Sequence, residues 1–369
     1  MKITKLKVDG FKNLTGVEIN PHEYTNILFG KNAQGKTNLI ESIWLMSGAR
    51  SFRSTKDKDL IKIGQDVMNI ELSYSDKRRN QQIKVSVSRQ NIRDKKITLN
   101  GVDVKNMSGL FGNISCVVFT PEDLEISKGS PDIRRDFVDL SISQIKNSYA
   151  DIANRYAETL HQRNAVLKNI VYDNAGQELL QIYDSSLASM GCYITSIRYK
   201  YIKKLSAVAN ELYRKISGGK EELTLSYVST VFPQLEGKTG TLTDVSNEYV
   251  EALRACREND IRSGFTTVGV HRDDIIARIN GLIARDYASQ GQHRSIALCL
   301  KLAQAYILAQ EQSDSPIILL DDILSELDKE RQNFVLSQIE NMQVFITCCD
   351  NIPLLGVGRV FEIEGGKIK

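Results

Sequence analysis

The chain has 369 residues, 41% apolar and 25% charged, with a formal net charge of +3. Those values suit a globular protein with room for two domains, and they exclude a histone-like basic arm or an acidic tail. No apolar run approaches the ~20 residues a membrane-spanning helix needs, and the strand-like alternation of Ile3, Leu6 and Val8 starts at once, with no signal peptide expected ahead of it.

Residues 1–30 read as strands over Ile3 to Val8, Val17 to Ile19 and Thr25 to Phe29, and a helix is predicted from Lys36 to about Met46. Val67 to Tyr74, Gln82 to Val87 and Lys96 to Leu99 read as antiparallel strands, with Asn100-Gly101 as a two-residue hairpin turn. Cys116 to Phe119 is a short buried strand. Ser130-Pro131-Asp132 then opens a helix, with a cap, proline at the first position and an acid in the first turn. Ile145, Tyr149, Ile152, Tyr156 and Leu160 recur at helical intervals, and the stripe resumes from Tyr183 to Leu212 until Gly218-Gly219 stops it. The expectation is two long amphipathic helices, broken near Asp173 to Gly176 and folded as an antiparallel hairpin.

A further helix is predicted over Glu248 to Ile261, ended by Gly264. Thr266 to Val270 and Ile275 to Ile279 read as strands, with Asn280-Gly281 a second hairpin turn. An apolar helix follows over Gln292 to Leu308, then buried strands at Ile317 to Leu320 and Val344 to Thr347. The fold class is therefore α/β: a split domain of residues 1–119 and 265–369, interrupted by a mostly helical insertion at 120–264. The cysteines (Cys116, Cys192, Cys256, Cys299, Cys348, Cys349) match no zinc spacing. A chain of this size needs no disulfide staples, so a reduced, cytoplasmic protein with buried thiols is expected.

Three motifs carry chemistry. Gly30-Lys31-Asn32-Ala33-Gln34-Gly35-Lys36-Thr37, followed by Asn38, satisfies G-x-x-x-x-G-K-[ST] between a strand and a helix. The glycines let backbone N–H groups face a phosphate chain, and the helix start adds partial positive charge. Lys36 then reaches the β- and γ-phosphates of ATP, and Thr37 supplies a hydroxyl to Mg²⁺. Ile317 to Leu320 followed by Asp321 and Asp322 is a buried strand ending in carboxylates, as a Mg·ATP site requires. Asp321 is assigned to the metal and Asp322 to polarising the attacking water; the alternative for the pair taken alone is a solvated acidic turn. Ser289-Gln290-Gly291-Gln292, just before the apolar helix, again suits an anion at a helix start, although alone it could be a plain helix cap.

The last motif resembles the S-G-G-Q signature of the ATP-binding-cassette superfamily, with Gln290 in place of the first glycine. Ser325-Glu326-Leu327-Asp328 resembles that superfamily's D-loop. The resemblance implies that Ser289, Gly291 and Gln292 act in trans, on ATP held by a second subunit. The stretch from Thr37 to Ser289 is much longer than in transporter cassettes and far shorter than in SMC proteins. Over essentially its whole length the chain resembles the RecF family of bacterial recombination mediators. The match includes Ser51-Phe52-Arg53, Thr120 to Leu124, Gly129 to Arg135, His271-Arg272-Asp273-Asp274 and Ser289 to Arg294.

The resemblance implies an SMC-like head with an ATP-dependent homodimer and binding to gapped, single-stranded and duplex DNA. It further implies loading of RecA with RecO and RecR in DNA repair, recombination, replication and the SOS response, without a membrane partner. The alternative is the ATPase subunit of a membrane transporter, against which the long insertion argues. Two departures stand out. Lys12 replaces the family's usual arginine, a point charge in place of a planar fork. Thr347-Cys348-Cys349-Asp350 lacks the histidine that transporter cassettes set beside the γ-phosphate, so a weak ATPase is expected, a switch and not a motor.

Candidate DNA contacts are the basic clusters Lys77-Arg78-Arg79, Arg93 with Lys95-Lys96, Arg134-Arg135, and Arg198, Lys200, Lys203, Lys204. Tyr193, Tyr199 and Tyr201 interleave the last and could stack bases, though they fit the helical core stripe equally well. His271 to Asp274 reads as an ion-paired turn or a nucleotide-sensing loop.

Overall fold

A computed structural model describes residues 1–53, 56–77, 79–91, 95–169, 175–235, 242–349 and 358–369. The chain opens with β1 (Lys2–Asp9), β2 (Val17–Ile19), β3 (Thr25–Phe29) and α1 (Lys36–Met46). Then come β4 (Val67–Ser75), β5 (Asn80–Ser88), β6 (Lys96–Leu99), β7 (Val102–Asp103) and β8 (Cys116–Phe119). A helical stretch holds α2 (Glu125–Lys128), α3 (Pro131–Ile145), α4 (Asn147–Asn169) and α5 (Ala175–Ile216), then β9 (Leu223–Val228), α6 (Leu242–Ala255) and α7 (Arg257–Ser263). It continues through β10 (Asp274–Ile279), β11 (Leu282–Ile283) and α8 (Ala284–Tyr287) to α9 (Gln290–Gln312). The chain ends with β12 (Ile317–Leu320), α10 (Lys329–Ile339), β13 (Val344–Cys348), β14 (Gly358–Glu364) and β15 (Lys367–Ile368).

Two compact units result: Met1–Leu124 with Arg294–Lys369, and Glu125–His293. The first unit holds two sheets. One is ordered β15-β14-β3-β13-β12-β8, with β14, β3, β13, β12 and β8 mutually parallel. Strands β8 and β12 are unbroken apolar runs, and every residue of β8, β12 and β13 is buried, as in strands covered on both faces. Leu320 lies opposite Phe119 and Ile346, and Cys348 opposite Phe29. The carboxyl ends of these strands are thus aligned, the place where parallel sheets bind ligands. The other sheet, β2-β1-β4-β5-β6-β7, alternates instead. Gln81, Ile83, Val85 and Val87 are buried on one face of β5. Asn100 and Gly101 take φ of +53° and +81°, the values a two-residue hairpin turn demands.

The second unit holds α3 to α7 and a small sheet, β11-β10-β9. Here the sequence reading needs three corrections. Residues 265–293 cluster with the helical unit and not with the head, because β10 pairs along its whole length with β9, from Asp274 opposite Val228 to Ile279 opposite Leu223. The stripe beginning at Ile145 is two helices, since α3 ends there and α4 begins at Asn147. Thr266 to Val270 is no strand. Its amides are taken by side chains: Thr266 donates to Asn164, Thr267 to Asp260, Gly269 to Thr230 and Val270 to Tyr249. Side-chain partners that take the backbone amides displace a ladder. The break near Asp173 falls on residues outside those described, as do Arg93 and Asp350. All six cysteines are free; four are buried as expected, while Cys256 is half-buried and Cys349 exposed.

Candidate nucleotide site and signature turn

The first unit's site grows from the carboxyl ends of β3, β13 and β12. Gly30 follows β3 with φ +154°, and a Cβ there would lie 2.3 Å from the Ile363 carbonyl oxygen. Gly35 has φ +116°, and its Cβ would meet Leu14 at 2.8 Å and Asn13 at 2.9 Å. Both positions therefore require glycine. Gly35 caps α1 without a side-chain bond, and the first turn of α1 carries no acid. Its N–H groups and dipole are left for an anion.

Lys36 is 4% exposed. Its ammonium donates to the carbonyls of Gly30 (2.6 Å) and Lys31 (3.0 Å) and lies 3.3 Å from Cys349 Sγ. Among the described residues no carboxylate pairs with it. A buried ammonium held only by neutral acceptors lacks a counter-charge.

The register places β13 between β3 and β12, and Thr347 therefore stands between the phosphate loop and the acids. Thr37 Oγ1 donates to Asp321 Oδ1 at 3.0 Å. The Thr347 hydroxyl lies 3.1 Å from carboxylate oxygens of both Asp321 and Asp322, and accepts from the Asp322 amide at 2.8 Å. Burial pushes the Asp321 carboxyl up to about 6; the Thr37 and Thr347 bonds draw it back and the Asp322 charge adds to the rise. Asp322 takes φ +52°, a left-handed conformation aspartate tolerates, which turns the chain after β12. The donor set is hydroxyl and carboxylate oxygen, the set that suits Mg²⁺. Among the described residues no cluster of three His, Cys, Asp or Glu could hold a metal alone, so phosphate oxygens would have to complete the shell.

Sequence reasoning missed what props the loop. Asn38 Nδ2 donates to Asn13 Oδ1 at 2.8 Å, and Arg53 to Asn38 Oδ1 at 3.2 Å. The Gly365 and Gly366 amides donate to the Gln34 side chain and backbone at 2.6 and 3.0 Å. The Gly365-Gly366 pair between alternating apolar residues was the available signal for this β14–β15 hairpin. The exposed Cys349 thiol donates to Asn32 Oδ1 at 2.8 Å. Lys12 pairs with Glu41, which is fully buried and also accepts from Ser51. Its charge is directed inward and not toward a ligand. Asp328 caps α10 by accepting the Arg331 amide at 2.9 Å, and that bond holds its carboxyl below the usual range.

The signature residues belong to the second unit. Ser289 and Gln292 cap each other: the Ser289 amide donates to Gln292 Oε1 at 2.8 Å, and the Gln292 amide to Ser289 Oγ at 3.2 Å. This is a reciprocal capping box at the head of α9. Gly291 lies inside its first turn.

The basic candidates divide. Lys77, Arg79 and Lys203 are exposed and Lys204 half-buried, while Arg78 lies outside the described residues. Arg134, Arg135 and Arg198 have partners within the helical unit. Arg134 is 7% exposed and forks onto Asp274 at 2.7 and 2.9 Å. Arg135 donates to the Asp273 carbonyl at 2.7 Å. Arg198 forks onto Asp139 at 2.7 Å. These guanidiniums knit the helical unit. Tyr201 is buried and Lys146 covers the Tyr193 ring at 5.2 Å, which favours core over stacking. His271 to Asp274 is a tightly bonded turn: Asp273 accepts from Tyr227, the Thr230 amide (2.7 Å) and the Thr230 hydroxyl (2.9 Å).

Residues 2–364 match the sequence model of the RecF/RecN/SMC N terminal domain family. The DNA replication and repair protein RecF of Clostridium acetobutylicum is 36% identical, covering 100% of this chain and 99% of that one. A solved structure of the recombination mediator protein RecF with ATP, in the RecFOR pathway, is 34% identical. It covers 100% of this chain and 97% of its own, with a TM-score of 0.92. An Smc head bound to the C-winged helix domain of ScpA, 15% identical over 100% of this chain and 96% of its own, has a TM-score of 0.53 and speaks for the fold alone. The phosphate loop, the acid-ended strand and the full-length match agree: the chain belongs to the RecF family and has the ATP-binding-cassette type of fold shared with SMC heads.

Proposed function

We propose that this protein is an ATP-switched DNA-binding protein of replication and repair. The observation that carries the reading is the buried Lys36 ammonium, which has neutral partners only and sits beside a Thr37–Asp321–Thr347 cluster. A nucleotide's phosphates supply the missing counter-charge. Backbone amides of Gly30 to Lys36 and the start of α1 hold those phosphates, and Thr37 with Asp321 holds Mg²⁺. The metal, when bound, neutralises charge on the transferring phosphoryl group. Asp322 orients the attacking water. With Cys349 where transporter cassettes place histidine, turnover is slow and ATP acts as a switch.

Ser289, Gly291 and Gln292 complete the site of a second copy, with Asp328 at the same interface, so ATP drives dimerisation. DNA meets the dimer through Lys77, Arg78, Arg79, Lys203 and Lys204, gapped duplex among its targets. RecO and RecR are the partners, RecA the recombinase served and the cytoplasm the compartment. Among the described residues no helix is long and apolar enough to cross a membrane, and nothing favours the transporter reading.

Sedimentation velocity with and without Mg·ATP tests this. The wild type dimerises only with ATP. Lys36→Ala loses nucleotide binding and the dimer, while Ser289→Arg keeps nucleotide binding and stays monomeric. A wild-type monomer at saturating ATP overturns the reading.

A further inference from the structure

A carboxylate outside the sequence motifs, Glu221, lies against the signature turn. Gln292 Nε2 donates to Glu221 Oε1 at 2.8 Å. The other carboxylate oxygen accepts from Tyr213 at 2.9 Å. Tyr213 is 1% exposed, near the end of α5. Glu221 occupies the segment between α5 and β9, which is pinned on its far side. The Glu222 amide donates to Asn280 Oδ1 at 2.8 Å and the Leu223 amide to Asn210 Oδ1 at 3.0 Å. All these residues belong to the second unit.

The chemistry of the contact is directional. A carboxylate only accepts, so it fixes the Gln292 amide with its NH₂ toward Glu221 and its oxygen toward the Ser289 amide. That orientation gives the Ser289 amide its acceptor and closes the capping box; the Gln292 backbone amide bonds the exposed Ser289 Oγ, whose hydroxyl proton is left to donate to an anion. Without Glu221 the amide can flip, and the Ser289 N–H loses its acceptor. Resting on the trans-acting role proposed above, we propose that Glu221 is the positioning residue of the signature turn, locking Gln292 and Ser289 in their anion-accepting form and joining them through Tyr213 to α5.

The experiment uses the full-length chain and three readouts: fluorescent-nucleotide binding, ATP-driven dimerisation and ATPase. Glu221→Ala weakens dimerisation and turnover about tenfold, the scale of one lost hydrogen bond to a charged group, with nucleotide binding by the monomer within about twofold. Glu221→Gln retains both, because its amide oxygen still accepts from Gln292 and its NH₂ donates to the Tyr213 oxygen. Tyr213→Phe falls between them. Mixing Glu221→Ala with Lys36→Ala restores one intact composite site, made from the phosphate loop of one protomer and the signature of its partner, so ATPase returns.

Wild-type dimerisation by Glu221→Ala overturns the proposal. So does a Glu221→Gln as defective as Glu221→Ala, which marks a merely structural role. The control mixture of Ser289→Arg with Lys36→Ala separates the two layers. If it regains activity while the Glu221→Ala mixture does not, Glu221 does not act through the signature. If neither mixture recovers, the trans-acting reading itself fails.

Discussion

His271 is bonded through both ring nitrogens, to the Thr266 carbonyl and to the Tyr156 hydroxyl. The Thr266 carbonyl can only accept, so His271 Nε2, 3.0 Å away, carries a proton. Nδ1 then accepts from Tyr156 at 3.0 Å, Tyr156 accepts from Tyr249 at 3.1 Å, and Tyr249 accepts the Val270 amide at 3.1 Å. Every group in this chain is satisfied only when the imidazole is neutral. Burial lowers the His271 pKa to about 4, and the Arg272 and Arg135 charges act in the same direction. The unfolded chain therefore takes up a proton as pH falls through 6.5, while the folded chain does not until about 4. Stability is lost across that window, by up to about 3 kcal/mol. Asp273, raised by burial, acts in the opposite sense, so the comparison must be with His271→Gln. In denaturant titrations the advantage of wild type over this variant shrinks from pH 7 to pH 4.5. A pH-independent difference would show that His271 is not held neutral.

At the scale of elements, the helical unit is fastened by a buried ionic cluster. Arg163 of α4 is fully buried and bonds Asp184 of α5 at 2.7 Å, Asp260 of α7 at 2.8 Å and Thr266 at 2.8 Å. Arg257 adds a second bond to Asp184 at 2.7 Å. Removing one partner strands the others without solvent, which costs about 3–5 kcal/mol. Arg163→Ala is expected to lower stability by that amount in chemical denaturation, and Arg163→Lys to recover little, since an ammonium cannot span the same three acceptors as a guanidinium fork. A loss below about 1 kcal/mol would refute this, matching a surface pair instead. The cluster also explains what was legible in the sequence. Apolar runs such as Ile317–Leu320 and glycine turns such as Asn100-Gly101 announce themselves because their period and backbone angles are local properties. Residues 266–270 read as a strand because Thr and Val favour one, and only the distant Asn164, Asp260 and Tyr249 make them a loop. β9 was invisible for the converse reason, as it is defined by β10, a partner far along the chain. The phosphate loop was legible in full, since its chemistry and its backbone constraint coincide in one segment. Glu221, far from Gln292 in sequence, was not.

At the scale of the whole molecule, the proposed switch joins the nucleotide site to the proposed DNA contacts by a free energy, and any such coupling is reciprocal. If ATP tightens DNA binding by some factor, DNA tightens ATP binding by the same factor. Equilibrium binding to gapped duplex DNA at one fixed salt concentration, with and without Mg·ATP, measures one side; fluorescent-nucleotide binding with and without DNA measures the other. The salt must be fixed because phosphate contacts make affinity steeply salt-dependent. For the wild type the two factors should agree, at about 5–150-fold for a typical coupling, and for Lys36→Ala the ATP effect should vanish. Replacing exposed Lys77 and Arg79 by Ala should reduce the salt slope by about one unit per lost contact, while Arg134→Ala should act through stability instead, because its guanidinium is already held by Asp274. DNA affinity that is identical with and without ATP would sever nucleotide from DNA, and the Lys36 site would then serve an assembly other than the one on DNA.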